Sequence, residues 1–161
     1  MSYSPMNVFF PASGIGAVAV GDVAKKAEVI VRDEIGRTDS ISFTWRSRLK
    51  DRIYDLAGKY SMAGWDGEEA SPVDWYAIKV AEQFIDLLPE GVQEPFITVE
   101  TAGDFSFDWD AGQDMTFAVI VARDRAIYAG IIGDSRSRGI ATIYREIPGP
   151  IRDILLEYFR K

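Results

Sequence analysis

The chain has 161 residues and a formal net charge of -7 at pH 7, and 47% of its residues are hydrophobic. This length predicts one domain with a core large enough to fold without a metal ion or a disulfide. The sequence contains neither Cys nor His, which excludes thiolate nucleophiles, zinc sites built on those residues and triads that need a histidine base.

The first forty residues have the least regular pattern of the chain. Residues 7–10, 17–20 and 27–31 are mainly apolar or β-branched, which predicts irregular structure or short strands over residues 1–40. The first ten residues lack the basic flank of a signal peptide, and no segment reaches membrane-spanning length. We therefore expect a cytoplasmic protein without a membrane span.

Two helices are predicted between residues 42 and 89. Apolar residues recur at helical spacing through residues 42–60, a pattern typical of an amphipathic helix. For the second helix, Ser71 is the expected N-cap and Pro72 the expected first helical residue. Pro89 is expected to end it, because proline cannot continue a helix.

After residue 95 the apolar period changes from helical to alternating. Phe105, Phe107 and Trp109 alternate with polar residues, which predicts a strand with one buried and one solvated face. Five strands are expected, at residues 96–101, 105–109, 115–121, 126–132 and 140–145, and their short connections require antiparallel neighbours. The residues expected to face the helices are Phe105, Phe107, Trp109, Phe117, Val119, Ile127 and Ile131.

A last helix is expected over residues 148–160, beginning near Pro148 or Pro150. The whole chain, residues 1–161, is therefore predicted to form a single α+β domain. Its architecture is a five-stranded antiparallel meander over residues 96–145, with helices packed on one face and a C-terminal helix.

Two groups of carboxylates are candidate binding residues. They are Asp66, Glu68 and Glu69 before the second helix, and Asp108, Asp110 and Asp114 around a predicted hairpin. The hairpin lacks the spacing of a calcium loop, because Gly112 is fifth counted from Asp108 and the twelfth position holds Val119 instead of Glu. We therefore expect no metal site and no cofactor. If the fold joined a pair of these carboxylates, a hydrolase assisted by a divalent metal ion would be the alternative hypothesis.

Basic residues form two further groups. Arg136 and Arg138 are predicted to lie on a loop, residues 134–139, as candidate ligands for a partner carboxylate or a phosphate. Four basic residues are expected on the exposed side of the first helix: Arg46, Arg48, Lys50 and Arg52. A nucleic-acid surface built from these groups is a third hypothesis, but the net charge of -7 argues against direct binding of nucleic acid.

Residues 65–109 carry a recognisable pattern. It consists of Trp65, Asp66, Gly67 and Ala70, then a Pro-started helix, and then Gly103 with Phe105, Phe107 and Trp109. It resembles a loose group of small bacterial and phage proteins with a W-D-G-x-x-A segment, a Pro-started helix and a G-x-F-x-F-x-W strand. That group has no assigned activity, so the resemblance implies no catalytic residue. Physically the motif suits a structural role: Trp65 as a packing staple, Asp66 as an acceptor of backbone N–H bonds and Gly67 as a residue of positive φ.

The absence of His and Cys, the acidic charge and the aromatic content favour a non-enzymatic protein-interaction module. An acidic surface can occupy a groove that evolved for phosphates. We therefore expect a protein partner with a basic surface, in a nucleic-acid-handling complex on which the chain acts as an inhibitor or accessory protein. The candidate partner-binding residues are Asp66, Glu68, Glu69, Asp108, Asp110, Asp114, Arg136 and Arg138, and none is assigned a catalytic role.

Overall fold

The structure, a computed structural model, describes residues 45–112 and 114–161. This part of the chain begins in helix α1, which is helical through residue 59. It continues through α2 (Trp75–Leu87), β1 (Phe96–Val99), β2 (Phe105–Asp110), β3 (Met115–Ala122), β4 (Arg125–Ile132), β5 (Ser135–Thr142) and α3 (Gly149–Tyr158). The prediction for residues 1–40 lies outside the described residues, and the single-domain organisation of the whole chain stays a prediction.

The five strands form one antiparallel sheet in the order β1-β2-β3-β4-β5. The predicted α+β class and the predicted meander are therefore confirmed, as is the C-terminal helix. Arg123 and Asp124 alone connect β3 to β4, and Gly133 and Asp134 alone connect β4 to β5. The positive φ angles of Arg123, 54°, and Gly133, 57°, suit such tight turns. Turns this short make consecutive strands neighbours.

One face of the sheet carries the hydrophobic core. The ring of Phe84 in α2 packs on Phe107 of β2, with 4.8 Å between centroids, and Phe159 at the end of α3 stacks on Phe117 of β3 at 6.2 Å. Helix α1 adds further buried side chains to the same core. Burying each large apolar side chain contributes about 1.5–3 kcal/mol, so helix packing on this face is a main source of stability.

The predicted orientation of β4 is wrong. Ile127 and Ile131 do not face the helices but are 38% and 40% exposed. The two-residue turn pairs Val121 with Ala126, and cross-strand partners share a face, so the even-numbered residues of β4 point to the core. Large apolar residues occupy both alternations of this strand, so its periodicity did not distinguish the faces. The other residues expected on the core face are buried as predicted: Phe105, Phe107, Trp109, Phe117 and Val119.

The fifth strand begins earlier than predicted. The tight turn pairs Ile132 with Ser135, and the ladder then continues to Arg125 and Thr142. Arg136 and Arg138 therefore lie on a strand and not on the predicted loop. The small and polar residues at the start of β5 do not read as a strand, but pairing along the full length of β4 supplies their backbone hydrogen bonds.

Helix α2 begins later than predicted, and its N-cap is Asp74 instead of Ser71. The N–H of Ala77 donates to a carboxylate oxygen of Asp74 at 2.7 Å, which satisfies one of the exposed backbone donors at the start of the helix. Ser71 instead donates its N–H to the carbonyl of Thr101 at 2.7 Å. The segment before α2 is thereby joined to the turn between β1 and β2.

Candidate functional site

The W-D-G segment belongs to the scaffold. The indole N–H of Trp65 donates to the carbonyl of Ser71 at 2.9 Å, while one oxygen of Asp66 accepts the N–H groups of Glu68 and Ala70. Gly67 has a φ of 88°. The structural roles predicted for Asp66 and Gly67 are confirmed. Asp66 stabilises its own loop, which leaves the exposed carboxylates of Glu68 and Glu69 as the charges that this loop presents to solvent.

The basic residues of α1 are largely engaged with the protein itself. Arg46 is not on the exposed side as predicted: its side chain is only 13% exposed, and its guanidinium donates to the carbonyls of Ile85 and Leu88 at 3.0 and 2.8 Å. Both carbonyls lie at the C-terminal end of α2, and that of Ile85 also accepts the N–H of Leu88 at 3.3 Å. Arg48 and Lys50 pair with Glu94 and Asp86, respectively. Three of the four predicted basic residues are thus engaged with the protein, while Arg52 is exposed to solvent.

The face of the sheet opposite the core brings four of the predicted residues together. Its strands align side chains in rows, because cross-strand partners point the same way. One row consists of Asp108, Ala118, Ala129 and Arg138 on β2, β3, β4 and β5, respectively. The neighbouring row consists of Asp110, Thr116, Ile131 and Arg136. We call this surface the open face, and each of these two rows runs from an aspartate on β2 to an arginine on β5.

Between the two charged strands the open face is mostly apolar. A third row carries Ile120 and Ile127 between those strands and continues to Ile140 on β5, whose side chain is 67% exposed. At the β1 edge, Phe96 stands beside Asp108 and is 72% exposed. A solvated sheet face ordinarily carries polar residues, so this concentration of exposed apolar side chains is unusual for a surface meant only for water.

Two shallow depressions cross the open face. One, of about 740 Å³, is lined by residues that include Ile131, Arg136 and Arg138. The other, of about 250 Å³, includes Asp108 and Asp110. Both include Thr116 and Ala129, so together they form one continuous concave band from β2 to β5.

Hydrogen bonds from neighbouring residues orient the two aspartates of the open face. Asp108 accepts the hydroxyl of Ser106 at 3.2 Å and that of Thr98 at 3.4 Å, and Asp110 accepts the N–H of Gly112 at 2.9 Å. These bonds fix the carboxylates in place and leave lone pairs for a ligand. Among residues 45–112 and 114–161, no ion pair involves Asp108, Asp110, Arg136 or Arg138.

The other predicted residues lie elsewhere. Asp66, Glu68 and Glu69 belong to the loop between α1 and α2, and Asp114 lies in the turn between β2 and β3. Asp114 has a φ of 60°, and its carbonyl accepts the N–H of Gly133 at 2.7 Å, so its backbone ties two turns together. In the part of the chain that the structure describes, no three acidic residues are grouped so that they could hold a metal ion.

A second concave site, which the sequence pattern did not predict, lies at the opposite end of β2. Asp74, Asp104, Arg123 and Arg125 are among the residues that line a small polar pocket of about 190 Å³. Burial, and then the charge of Asp74, raise the pKa of Asp104, while Arg123 and Arg125 oppose that shift. The carboxyls of Asp74 and Asp104 are thirty residues apart in the chain, so no local pattern predicts that they meet.

The chain matches no protein-family model, and no curated protein or solved structure is significantly similar to it. Function therefore has to be argued from the sites themselves. No described helix combines the length and the apolar character that crossing a membrane requires.

Proposed function

We propose that this chain is a protein-interaction module whose binding surface is the open face of its sheet. The observation that supports it is the pair of rows in which Ala129 and Ile131 lie exposed between Asp108 and Asp110 on one strand and Arg136 and Arg138 on another. An apolar centre with a charged rim is the usual composition of a protein interface. The concave band across this face adds a shape into which a partner's side chains can fit.

The charge on this face refines the partner expected from the net charge. A purely basic partner would be attracted to Asp108 and Asp110 but repelled by Arg136 and Arg138. The best complement is a protein surface that is basic opposite β2 and acidic opposite β5. The role of inhibitor or accessory protein in a nucleic-acid-handling complex remains part of the proposal and rests on the net charge of -7.

Site-specific photocrosslinking in the cells that make the protein tests this proposal. A photoreactive amino acid at Ile131, in the apolar part of the open face, should form covalent adducts with protein. The matched control is the same amino acid at Glu157, an exposed position on α3. Equal adduct yields at the two positions, or none at either, would contradict the proposal.

A carboxylate-dependent hydrolase is the second candidate, and the pocket around Asp104 favours it. Burial raises the pKa of Asp104, and its carboxyl shares the pocket with that of Asp74, an arrangement of two carboxyls that acid–base hydrolysis uses. The neighbouring arginines, Arg123 and Arg125, would hold an anionic substrate.

A panel of chromogenic phosphate, glycoside and ester substrates, with and without magnesium, tests the enzyme hypothesis. Asp104→Asn should abolish any turnover by more than about a hundredfold, while Glu69→Gln in the exposed loop should have no effect. Turnover that is unchanged in Asp104→Asn would exclude this pocket as its source.

A further inference from the structure

We propose that the open face binds a second copy of this chain, so that two sheets pack face to face in a symmetric dimer. This inference rests on the proposed function and names the partner of that same surface. The argument is one of self-complementarity: the two charged strands stand on opposite sides of the apolar strands, at matching positions along the strand direction.

The open face complements its own copy when a twofold axis runs parallel to the strands, above the boundary between β3 and β4. Rotation about it places β2 of one copy over β5 of the other, and β3 over β4. It reverses the order of the strands but keeps each cross-strand row at its own level. An interface of this kind uses the same patch on both copies, so every contact occurs twice.

The charges then meet with opposite sign. Asp108 lies opposite Arg138 of the second copy, and Asp110 lies opposite Arg136 of the second copy. Symmetry doubles both pairs. A nucleic acid or a uniformly basic peptide would instead place like charges against one of the two strands, which favours a second copy over those occupants.

Part of the apolar surface also meets itself, while Ile131 and Ile140 lie over Thr116 and Ser106 of the second copy. Ala118 and Ile120 of β3 lie over Ile127 and Ala129 of β4 of the second copy. Sheets that pack face to face are about 10 Å apart, with their strands crossing at about 30°. Contacts near the axis therefore follow the rows closely, while those at the corners are looser.

The available area predicts a weak dimer. Four strands spaced about 4.8 Å apart, about 20 Å long for β2 and about 27 Å for the others, present roughly 500 Å² per copy. The total of roughly 1,000 Å² is at the lower end of specific interfaces. We therefore expect a dissociation constant in the micromolar range, which increases as salt screens the charge pairs.

Analytical ultracentrifugation of the full chain is the first test. Over concentrations from about 10 to about 500 µM, the span suited to a micromolar equilibrium, the average mass should rise from one chain to two. The rise should be smaller at high salt. A wild-type chain that stays monomeric throughout would overturn the dimer. Crosslinks from Ile131 to a different protein would then leave the proposed interaction function standing.

Charge-reversal variants provide the decisive test. In Asp108→Arg/Asp110→Arg, and separately in Arg136→Asp/Arg138→Asp, every charge pair of the homodimer becomes repulsive. Each variant alone should bind itself at least about tenfold more weakly than wild type. In an equimolar mixture every pair is again attractive, so the two variants should form a heterodimer of near wild-type affinity.

Controls separate this specific pairing from a general charge effect. Both variants stay negatively charged, since the chain begins at -7, so simple attraction between oppositely charged proteins does not explain recovery in the mixture. Glu68→Arg/Glu69→Arg makes the same charge change as Asp108→Arg/Asp110→Arg, but in the exposed loop, and should not weaken dimerisation. Wild-type dimers that cannot be crosslinked to themselves through Ile131 would place the interface elsewhere and overturn the proposal, even if the variants fail to fold.

Discussion

A Cβ atom on Gly103 would lie 2.6 Å from the carbonyl oxygen of Pro72. The turn between β1 and β2 therefore lies directly against the segment that precedes α2. The hydrogen bond from the N–H of Ser71 to the carbonyl of Thr101 joins the same two segments. Gly103 also has a φ of 84°, so both its backbone conformation and its surroundings favour a residue without a side chain. The sequence pattern that contains Gly103 thus describes part of the scaffold.

We expect Gly103→Ala to lower the free energy of unfolding by about 2–4 kcal/mol, because it adds a steric conflict to a strained backbone. Gly67→Ala is the matched control. Gly67 has a similar φ of 88°, but no heavy atom lies within 4 Å of a Cβ placed there, so only backbone strain of about 1–2 kcal/mol is expected. Urea unfolding measures both. Equal losses would show that the contact with Pro72 costs nothing.

Trp109→Phe tests a buried hydrogen bond. The indole N–H of Trp109 donates to the carbonyl of Gln93 at 2.9 Å, and the side chain is buried against the rest of the core. The change keeps an aromatic ring but leaves that carbonyl without its donor, which should lower stability by about 1–3 kcal/mol. Trp65→Phe removes a similar bond at a more exposed position and should cost less. A larger loss for Trp65→Phe would contradict this ranking.

Arg46→Ala tests the interaction between α1 and the end of α2. The guanidinium binds carbonyls at the negative end of the helix dipole, so its loss should lower stability by about 2–3 kcal/mol. Arg46→Lys keeps the charge but donates in fewer directions, and should retain part of that stability. The control is Arg48→Ala: that side chain is 59% exposed in its ion pair with Glu94, and the expected loss is below about 1 kcal/mol. Thermal denaturation that ranks Arg48→Ala as the more harmful change would refute this role for Arg46.

Two carboxyls should affect the pH dependence of stability with opposite signs. Burial, and then Asp74, raise the pKa of Asp104, so its ionised form destabilises the folded state above that pKa. Asp104→Asn should therefore raise the melting temperature at neutral pH. The effect should disappear below about pH 3, where the carboxyl is protonated in both the folded and unfolded states.

Glu82 is the contrasting case. The hydrogen bond from Lys79, at 2.7 Å, lowers the pKa of Glu82, so the ionised carboxylate stabilises the folded state. That stability is present above the ordinary pKa of a glutamate, about 4.3, and is lost as the pH falls through the lowered value. Glu82→Gln should therefore lower the melting temperature at neutral pH, and this effect should fade as the pH falls through the lowered pKa of Glu82. Melting curves of both variants across this range check the two signs, and a shift of the same sign in both would contradict the assignment.

The amino-acid sequence by itself determined the features that depend on neighbouring residues. The strict alternation around Phe107 and the short connections required an antiparallel meander, since connections of a few residues leave no room for a crossover. The roles of Asp66 and Gly67 followed from turn chemistry over a few residues. The amphipathic pattern after Pro148 predicted the last helix for the same reason.

The tertiary structure alone decided which distant residues share a surface. The acceptors of Arg46 in α2 lie about forty positions along the chain, beyond the reach of any local pattern. Asp108 and Arg138 lie in one row only because three successive turns fix the registers of β2 to β5. A shift of one residue in any of those registers would move side chains to the opposite face of the sheet. The open face thus follows from the cumulative registers of four strands, which hydrophobic periodicity in a single strand does not specify.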